Sequence, residues 1–357
     1  MFIKRIFLSA VLFLGCMQIQ AQVPAPKIDA WLSDHAQAMG GRVLLMVYKD
    51  GKIIYSHAAS NMSERQKRVG ELLARRQGKP VSFDDFTPST RMPIASCSKW
   101  LSAALVMTFV DEGKLRLTDT VGKYLPVLSQ NGKGNITISQ CLSHLTGIKP
   151  KSLIDDLSAM RNVNSMDEAI KEISGLSMEG EPGKTFHYSN AGLQIAGAVI
   201  EKISGKDFGT LFAERIARPL GMEHTDYGET KVPLPAGGAQ STPEDYMHFL
   251  VMILNKGMYN GRRILSENSV AQMQVNRITD DVRIMYSPAE TGKLSYGYGE
   301  WVMGSNYVTS PGLFGSYPWL NNDEKYCAFL MAYSLNSKGR HENYMELTRL
   351  VETELIK

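Results

Sequence analysis

The chain has 357 residues, of which 43% are hydrophobic and 21% charged, and its formal net charge is +3. This length allows one large domain or two lobes with a sizeable core. So small a net charge gives no strong overall field toward nucleic acid or anionic membranes. The sequence has no Cys or His spacing suited to zinc, no glycine-rich phosphate loop and no internal repeat. We therefore expect no metal, no other cofactor and no nucleic-acid partner.

The first 21 residues have the pattern of a secretory signal peptide. Two basic residues precede an apolar run over residues 6–17, which is shorter than the roughly twenty residues that a transmembrane helix needs. We predict cleavage after Ala21, a periplasmic or secreted location for residues 22–357, and no membrane span. Lipidation at Cys16 is the alternative, although the residues before it form a poor lipobox. Cleavage would take the net charge from +3 to +1 because the leader carries two cations and no acid.

The next part of the chain predicts a helix, a hairpin and a second helix. Apolar residues recur at helical spacing over residues 28–39, and two glycines end the run. Residues 43–48 and 52–57 read as strands, and the Asp-Gly pair between them predicts a β-hairpin. Residues 62–79 are polar and basic, and they predict a solvated helix within an insertion at about 61–88. A role of this insertion in gating the substrate is the alternative.

The sequence predicts mainly helices over residues 93–287 and mainly strands after them. Strand-like segments occur at residues 296–303, 307–309, 313–320 and 326–333. The closing residues 341–356 place apolar side chains on one helical face. We predict an α/β fold of the α+β type, in which one antiparallel sheet is flanked by N- and C-terminal helices. The sheet lobe would comprise about 28–92 and 288–357, with an all-helical lobe at about 93–287 inserted between them.

Three cysteines, Cys97, Cys141 and Cys327, remain after the predicted cleavage. An odd number of thiols favours buried, unpaired cysteines that pack as small hydrophobic residues. We therefore predict no disulfide.

A serine and a lysine one helical turn apart form the main candidate for catalysis. Ser96-Cys97-Ser98-Lys99 is the only Ser-x-x-Lys in the chain, and a long apolar run over residues 100–107 follows it. Residues three apart share a helix face, so the amine of Lys99 can reach the hydroxyl of Ser96. Burial disfavours the ammonium form, which suits a base near pH 7. The pattern predicts Ser96 as the nucleophile and Lys99 as its base.

Two later segments contain candidate partners for this pair. Tyr188-Ser189-Asn190 precedes a predicted helix over residues 191–203. A phenol poised by a lysine can move a proton between nucleophile and leaving group, and an amide can orient the lysine and the substrate carbonyl. The small-residue segment 309–316 precedes the last predicted strand, where it can bring a backbone N–H beside the nucleophile.

Together these motifs resemble the serine β-lactamase and penicillin-binding-protein superfamily, in its class C β-lactamase, esterase and D-aminopeptidase branch. Residues 136–148 and 236–245 also look like characteristic segments of that branch. The resemblance covers roughly residues 28 to 356. Several motifs in the right order are more specific than any single one.

The resemblance implies a β-lactamase/transpeptidase-like fold with the active site in the cleft between sheet and helical lobe. By the same resemblance, Tyr188 would be catalytic and Asn190 would help to bind the substrate. The backbone N–H groups of Ser96 and Leu313 would hold the oxyanion of an acyl-transfer reaction.

One motif departs from the family. Where the family has Lys-Thr-Gly or His-x-Gly, this chain has Ser310-Pro311-Gly312, which lacks the cation that anchors a substrate carboxylate. We keep Ser310, Gly312 and Leu313 as substrate-binding candidates. We expect a serine hydrolase that cleaves a small-molecule ester, amide or peptide through an acyl-enzyme, esterase-like and with weak or no β-lactamase activity. A D-amino-acid peptidase or carboxypeptidase, a class C β-lactamase and a non-catalytic binding protein that retains the fold are the alternatives.

Other polar residues near the motifs are predicted to be structural. His144 and His187 lie beside motif segments, but the lysine already fills the role of base. Asp155 and Asp156 are predicted to lie on a solvated loop.

Overall fold

The computed structural model describes residues 23–76, 78, 81–228, 230–292, 295–304 and 306–357. The predicted signal peptide, its cleavage site and Cys16 lie outside these residues. Within the described ranges, no helix has both the length and the apolar character needed to cross a membrane.

The α-helices of the described residues are distributed along their whole length. They are α1 (Pro26–Ala36), α2 (Glu64–Arg76), α3 (Ser98–Asp111), α4 (Pro126–Gln130), α5 (Ile138–Leu142), α6 (Leu153–Asn162), α7 (Met166–Ser174), α8 (Ala191–Ser204), α9 (Phe208–Phe212), α10 (Arg218–Leu220), α11 (Pro243–Leu254), α12 (Glu267–Met273) and α13 (Arg340–Val351).

The strands lie mainly near the two ends of the described chain. They are β1 (Arg42–Lys49), β2 (Lys52–Ser60), β3 (Met92–Pro93), β4 (Thr185–His187), β5 (Gln240–Ser241), β6 (Met258–Tyr259), β7 (Arg262–Arg263), β8 (Arg283–Tyr286), β9 (Ser295–Tyr296), β10 (Trp301–Met303), β11 (Tyr307–Thr309), β12 (Tyr317–Asn321) and β13 (Tyr326–Ala332).

The large sheet has seven antiparallel strands in the order β2-β1-β13-β12-β11-β10-β9. The hairpin β1-β2 therefore joins strands from the other end of the chain, with Val43 opposite Ala332 and Lys49 opposite Tyr326. Three small two-stranded sheets, β3-β5, β4-β8 and β6-β7, lie apart from it. The predicted sheet built from both ends of the chain is confirmed.

The two faces of the sheet pack against different layers of helices. Alternate side chains of β1 point to opposite faces: Val43 and Leu45 pack in the cluster that contains α1 and α13, whereas Leu44 and Met46 pack in the cluster that contains α3. On that second face, the ring of Tyr246 in α11 stacks on a β13 phenylalanine at 4.8 Å between centroids. The terminal helices thus cover one face of the sheet and the internal helices cover the other.

Helix α3 lies in the centre of the internal helices, and its side chains from Ser98 through Phe109 are buried on every side. A loop of the sheet packs closely on its first turn, because a Cβ at Gly299 would lie only 2.5 Å from the carbonyl oxygen of Lys99. The prediction of a fully buried helix that begins beside Ser96 is confirmed. The three described cysteines are buried and unpaired, as predicted.

Two predicted strands differ from those observed. The predicted strand 296–303 is two short strands, because the N–H of Gly297 bonds to the carbonyl of Glu300 at 2.9 Å and closes a turn between them. The predicted strand 313–320 begins only at Tyr317. The residues before it turn instead, since the N–H of Gly312 bonds to the carbonyl of Ser316 at 2.8 Å.

Candidate active site

The candidate nucleophile, Ser96, lies in a 3₁₀ turn that leads into α3. The preceding residue, Ala95, has a φ of 46°, in the left-handed region that residues other than glycine rarely adopt. Ser98 holds this turn: its hydroxyl donates to the carbonyl of Ala95 at 2.5 Å and accepts the N–H of Ala239 at 3.0 Å. The turn places Ser96 at the edge of a cavity, at the head of a buried helix.

Lys99 is 1% exposed and contacts the nucleophile directly. Its Nζ lies 3.1 Å from the Oγ of Ser96, 3.3 Å from the Oδ1 of Asn190 and 2.7 Å from the carbonyl oxygen of Ala236. Burial lowers the pKa of the Lys99 ammonium to about 7, and the carboxylate of Asp156 opposes this shift. Near neutral pH a large fraction of the amine is therefore neutral and able to accept a proton.

Asp156 is a member of the site that sequence reasoning missed. Its Oδ2 accepts a hydrogen bond of 2.8 Å from the Nδ2 of Asn190, whose Oδ1 faces Lys99. The prediction of a solvated loop at Asp155 and Asp156 was wrong, because both lie in the first turn of α6, which Ser152 caps. The Ser-x-x-Asp pattern of that cap signals a helix start, but no local pattern signals the contact with Asn190.

Replacing Asp156 with asparagine is expected to shift the pH dependence of kcat/KM to lower pH. The carboxylate raises the pKa of Lys99, so its loss leaves more of the amine neutral at a given pH below 7. A pH series of ester hydrolysis measures the shift. The control is Asp155→Asn, since Asp155 is exposed and bonds only within its own helix cap. An unchanged profile, or one displaced to higher pH, would contradict this electrostatic role.

Tyr188 completes the polar group around the nucleophile. The centroid of its ring lies 4.7 Å from the Nζ of Lys99. Burial raises the pKa of Tyr188 well above its usual value, while a hydrogen bond to Ser96 acts in the opposite direction. The phenol is therefore protonated at neutral pH and can donate. The rings of His144 at 4.6 Å and Trp301 at 5.2 Å hold it in place.

The two histidines near the motifs are already engaged. The Nδ1 of His144 accepts the N–H of Ser189 at 3.4 Å, which leaves the other ring nitrogen to donate to the hydroxyl of Tyr296 at 3.1 Å. Burial lowers the pKa of His144 well below its usual value. His187 lines the cavity, and its Nδ1 lies 2.6 Å from the carboxylate of Glu179. These contacts are consistent with the predicted structural roles.

The Ser310-Pro311-Gly312 motif lies against the turn that contains Ser96, and its residues have different surroundings. Ser310 is 1% exposed, and its single hydroxyl hydrogen is shared between the carbonyl oxygens of Ser96 at 3.3 Å and Gly299 at 3.1 Å from the Oγ. Gly312 permits close approach, because a Cβ there would lie 2.4 Å from the carbonyl oxygen of Ile94. Leu313 lines the cavity, whereas Ser310 and Gly312 do not. A substrate-binding role of Ser310 and Gly312 would therefore act through the turn that contains Ser96, and it stays a prediction.

Arg340 is a second residue that sequence reasoning missed. It is 4% exposed, and its guanidinium donates to the carbonyls of Leu313 at 2.9 Å, Ser334 at 3.0 Å and Asn336 at 2.8 Å. It thereby ties together two chain segments that contribute to the cavity wall. An arginine immediately before a predicted helix carries no local signal of such contacts.

The cavity has a volume of about 760 Å³ and a largely apolar wall. Its apolar lining residues include Leu153, Leu157, Leu234, Trp301, Phe314 and Leu335. Two lysines line it, Lys99 and Lys151, and the second is paired with Glu172 at 3.2 Å. Among the residues with described positions, no group of three or more His, Cys, Asp or Glu side chains is arranged to hold a metal ion.

The sequence model of the family described as Beta-lactamase matches residues 33–351. Among solved structures, a provisionally assigned beta-lactamase from Bacteroides dorei DSM 17855 is 27% identical, with a TM-score of 0.77 over 94% of this chain and 100% of that one. EstCE1, a hydrolase with promiscuous acyltransferase activity, has a TM-score of 0.70 at 17% identity, over 92% and 98% of the two chains. The predicted fold is confirmed by these similarities.

Curated relatives match shorter parts of the chain. Protein flp of Staphylococcus aureus (strain MW2) is 29% identical over 147 residues, which are 40% of this chain and 29% of that protein. A provisionally named D-alanyl-D-alanine carboxypeptidase of Escherichia coli (strain K12) is 26% identical over 208 residues, 56% of this chain and 46% of that protein. The matches therefore span less than half of each of these two relatives.

Proposed function

Because the chain belongs to the beta-lactamase family of serine hydrolases, we propose that it cleaves an ester or amide bond through an acyl-enzyme on Ser96. The observation that carries this proposal is the distance of 3.1 Å between the Oγ of Ser96 and the Nζ of Lys99, an amine whose pKa is about 7. A nucleophile and a base within hydrogen-bond reach are the elements that such catalysis requires.

The reaction begins when the neutral amine of Lys99 accepts the proton of Ser96 as its Oγ attacks the substrate carbonyl. The backbone N–H groups of Ser96 and Leu313 donate to the oxyanion, and each such donor contributes on the order of 3 to 4 kcal/mol. Tyr188 delivers its proton to the leaving group and is reprotonated from Lys99. Water then attacks the acyl-enzyme, with the same groups moving protons in the reverse direction.

The cavity favours neutral substrates over those that carry a carboxylate. Ser310 supplies no cation, Lys99 serves as the base, and Lys151 is already paired with a glutamate. The largely apolar wall suits a small ester or uncharged amide. The relative named as a carboxypeptidase makes peptidase action the second candidate.

We expect the protein to hydrolyse a short neutral ester, such as p-nitrophenyl butyrate, with a kcat/KM at least about tenfold above that for nitrocefin. A charge-assisted hydrogen bond contributes about 1.5 to 3 kcal/mol, so its absence at the substrate carboxylate has this size of effect. Steady-state kinetics on both substrates, and on a D-amino-acid amide, measure the preference. Efficient nitrocefin hydrolysis would show that another residue binds the carboxylate, and would refute the esterase-like preference.

The first 21 residues bear on where the protein acts. The pattern of the first 21 residues supports a periplasmic or secreted location, which stays a proposal. A fusion of those residues to a reporter that is active only outside the cytoplasm would test it.

A further inference from the structure

Helix α2 (Glu64–Arg76) carries as much net positive charge as the whole sequence, so the charges of the other residues sum to zero. Its 13 residues include five basic and two acidic side chains, a net charge of +3 that equals the value for the whole sequence. The helix follows β2, which lies at one edge of the large sheet. Helix α2 is therefore a strongly basic surface helix in a chain of low overall charge.

The exposed residues of α2 form a single face. At about 100° per residue, the exposed side chains that the structure describes at positions 65 to 76 lie within an arc of about 120°. We define this arginine face as Arg65, Arg68, Val69, Leu72, Arg75 and Arg76. The two apolar members are 49% and 50% exposed. Within the part of the chain that the structure describes, none of the four arginines has a carboxylate partner.

The opposite side of α2 is attached to the protein. Gln66 donates its side-chain amide to the carbonyl of Gln37 at 2.8 Å, at the end of α1. Gly70 lies close to the ring of Phe83, where a Cβ would be 3.2 Å away. The acidic Glu64 lies beside the arc and pairs with Lys67 at 3.0 Å. The helix is thus held with its arginine face directed outward.

We propose that the arginine face docks on the surface of an anionic phospholipid membrane. Guanidinium groups bind phosphate through two parallel hydrogen bonds, which matches lipid headgroups. Val69 and Leu72 lie among the arginines, where they can enter the interface between headgroups and acyl chains. A soluble polyanion offers the phosphates but no apolar region for these two side chains. Their placement therefore favours a membrane over a soluble polymer.

Docking through α2 leaves the catalytic cavity open. The described residues that line the cavity begin at Ala95 and include none from α2. None of the described residues of the insertion at about 61–88 lines the cavity, and a gating role of the insertion stays a prediction. Membrane binding and hydrolysis of a soluble ester should therefore vary independently.

Co-sedimentation of the purified protein, comprising residues 22–357, with vesicles tests the proposal. The vesicles contain phosphatidylcholine alone or with 30% phosphatidylglycerol, a composition chosen to vary only the surface charge. The test variant carries Arg65→Gln, Arg68→Gln, Arg75→Gln and Arg76→Gln. The control variant removes four exposed cations elsewhere: Arg116→Gln, Arg161→Gln, Arg262→Gln and Lys325→Gln.

We expect the wild type to partition onto the anionic vesicles at least about tenfold more than onto neutral ones, with weaker binding at high salt. The test variant should lose this difference, the control should keep it within about twofold, and both should hydrolyse a soluble ester as the wild type does. A second variant, Val69→Asn with Leu72→Asn, should bind less to anionic vesicles. Equal binding of the wild type to both vesicle types would overturn the proposal. So would retained binding by the test variant, unchanged binding by the second variant, or binding to soluble polyphosphate without binding to vesicles.

Discussion

Replacement of Ser96 with alanine is expected to abolish hydrolysis of every substrate that the wild type cleaves, a loss on the order of 10⁶ in kcat. The hydroxyl of Ser96 lies 3.1 Å from a lysine amine whose pKa is about 7. The neighbouring thiol of Cys97 cannot replace it, since it is fully buried and burial raises its pKa far above neutrality. Steady-state kinetics and labelling with a fluorophosphonate probe, read by intact-protein mass spectrometry, measure the loss.

The matched control for this variant is Ser337→Ala. Ser337 also lines the cavity, but it is exposed and its hydroxyl does not contact Lys99. We expect this control to retain activity and labelling close to those of the wild type. If Ser96→Ala folds and still turns over substrate, the acyl-enzyme mechanism is wrong. If the wild type binds a substrate but neither turns it over nor reacts with the probe, the non-catalytic alternative is favoured.

The parts of the fold that depend on short-range patterns were predictable. The hairpin β1-β2 follows from Asp50-Gly51, whose φ angles of 49° and 84° match the turn that a two-residue connection requires. The continuous apolar run after Lys99 indicated a helix buried on every side, and α3 is such a helix. The ends of strands were less predictable, because the turn at Gly312 depends on a hydrogen bond to Ser316 that competes with strand pairing.

The contacts of the candidate site likewise differ in whether a short-range pattern predicts them. The contact between Ser96 and Lys99 spans one helical turn, so spacing alone predicts it. The contact between Asp156 and Asn190 joins residues 34 positions apart, one in α6 and the other immediately before α8. Such contacts arise from the packing of whole elements, and no periodicity in the sequence encodes them. The resemblance to a family brought the motifs together, but it did not indicate Asp156 or Arg340.

Replacement of Lys99 with alanine is expected to lower kcat by about 10² or more, because it removes the base that accepts the serine proton. In the wild type, kcat/KM should rise with pH through about 7, since the neutral amine is the active form and burial lowers its pKa to that value. The same rise should be absent from the variant. Rates of ester hydrolysis across pH 5.5 to 8.5, corrected for uncatalysed hydrolysis, measure both effects.

Two further variants separate the proton-accepting role of Lys99 from its charge. Lys99→Arg keeps a cation that stays protonated at every pH in this range, so it should be as inactive as Lys99→Ala. Lys151→Ala removes the other lysine of the cavity, one already paired with Glu172, and should retain most of the activity. Near-wild-type kcat in Lys99→Ala across the neutral range would place the base elsewhere. His187 would then be the first residue to test, since it lines the cavity, whereas both ring nitrogens of His144 are occupied.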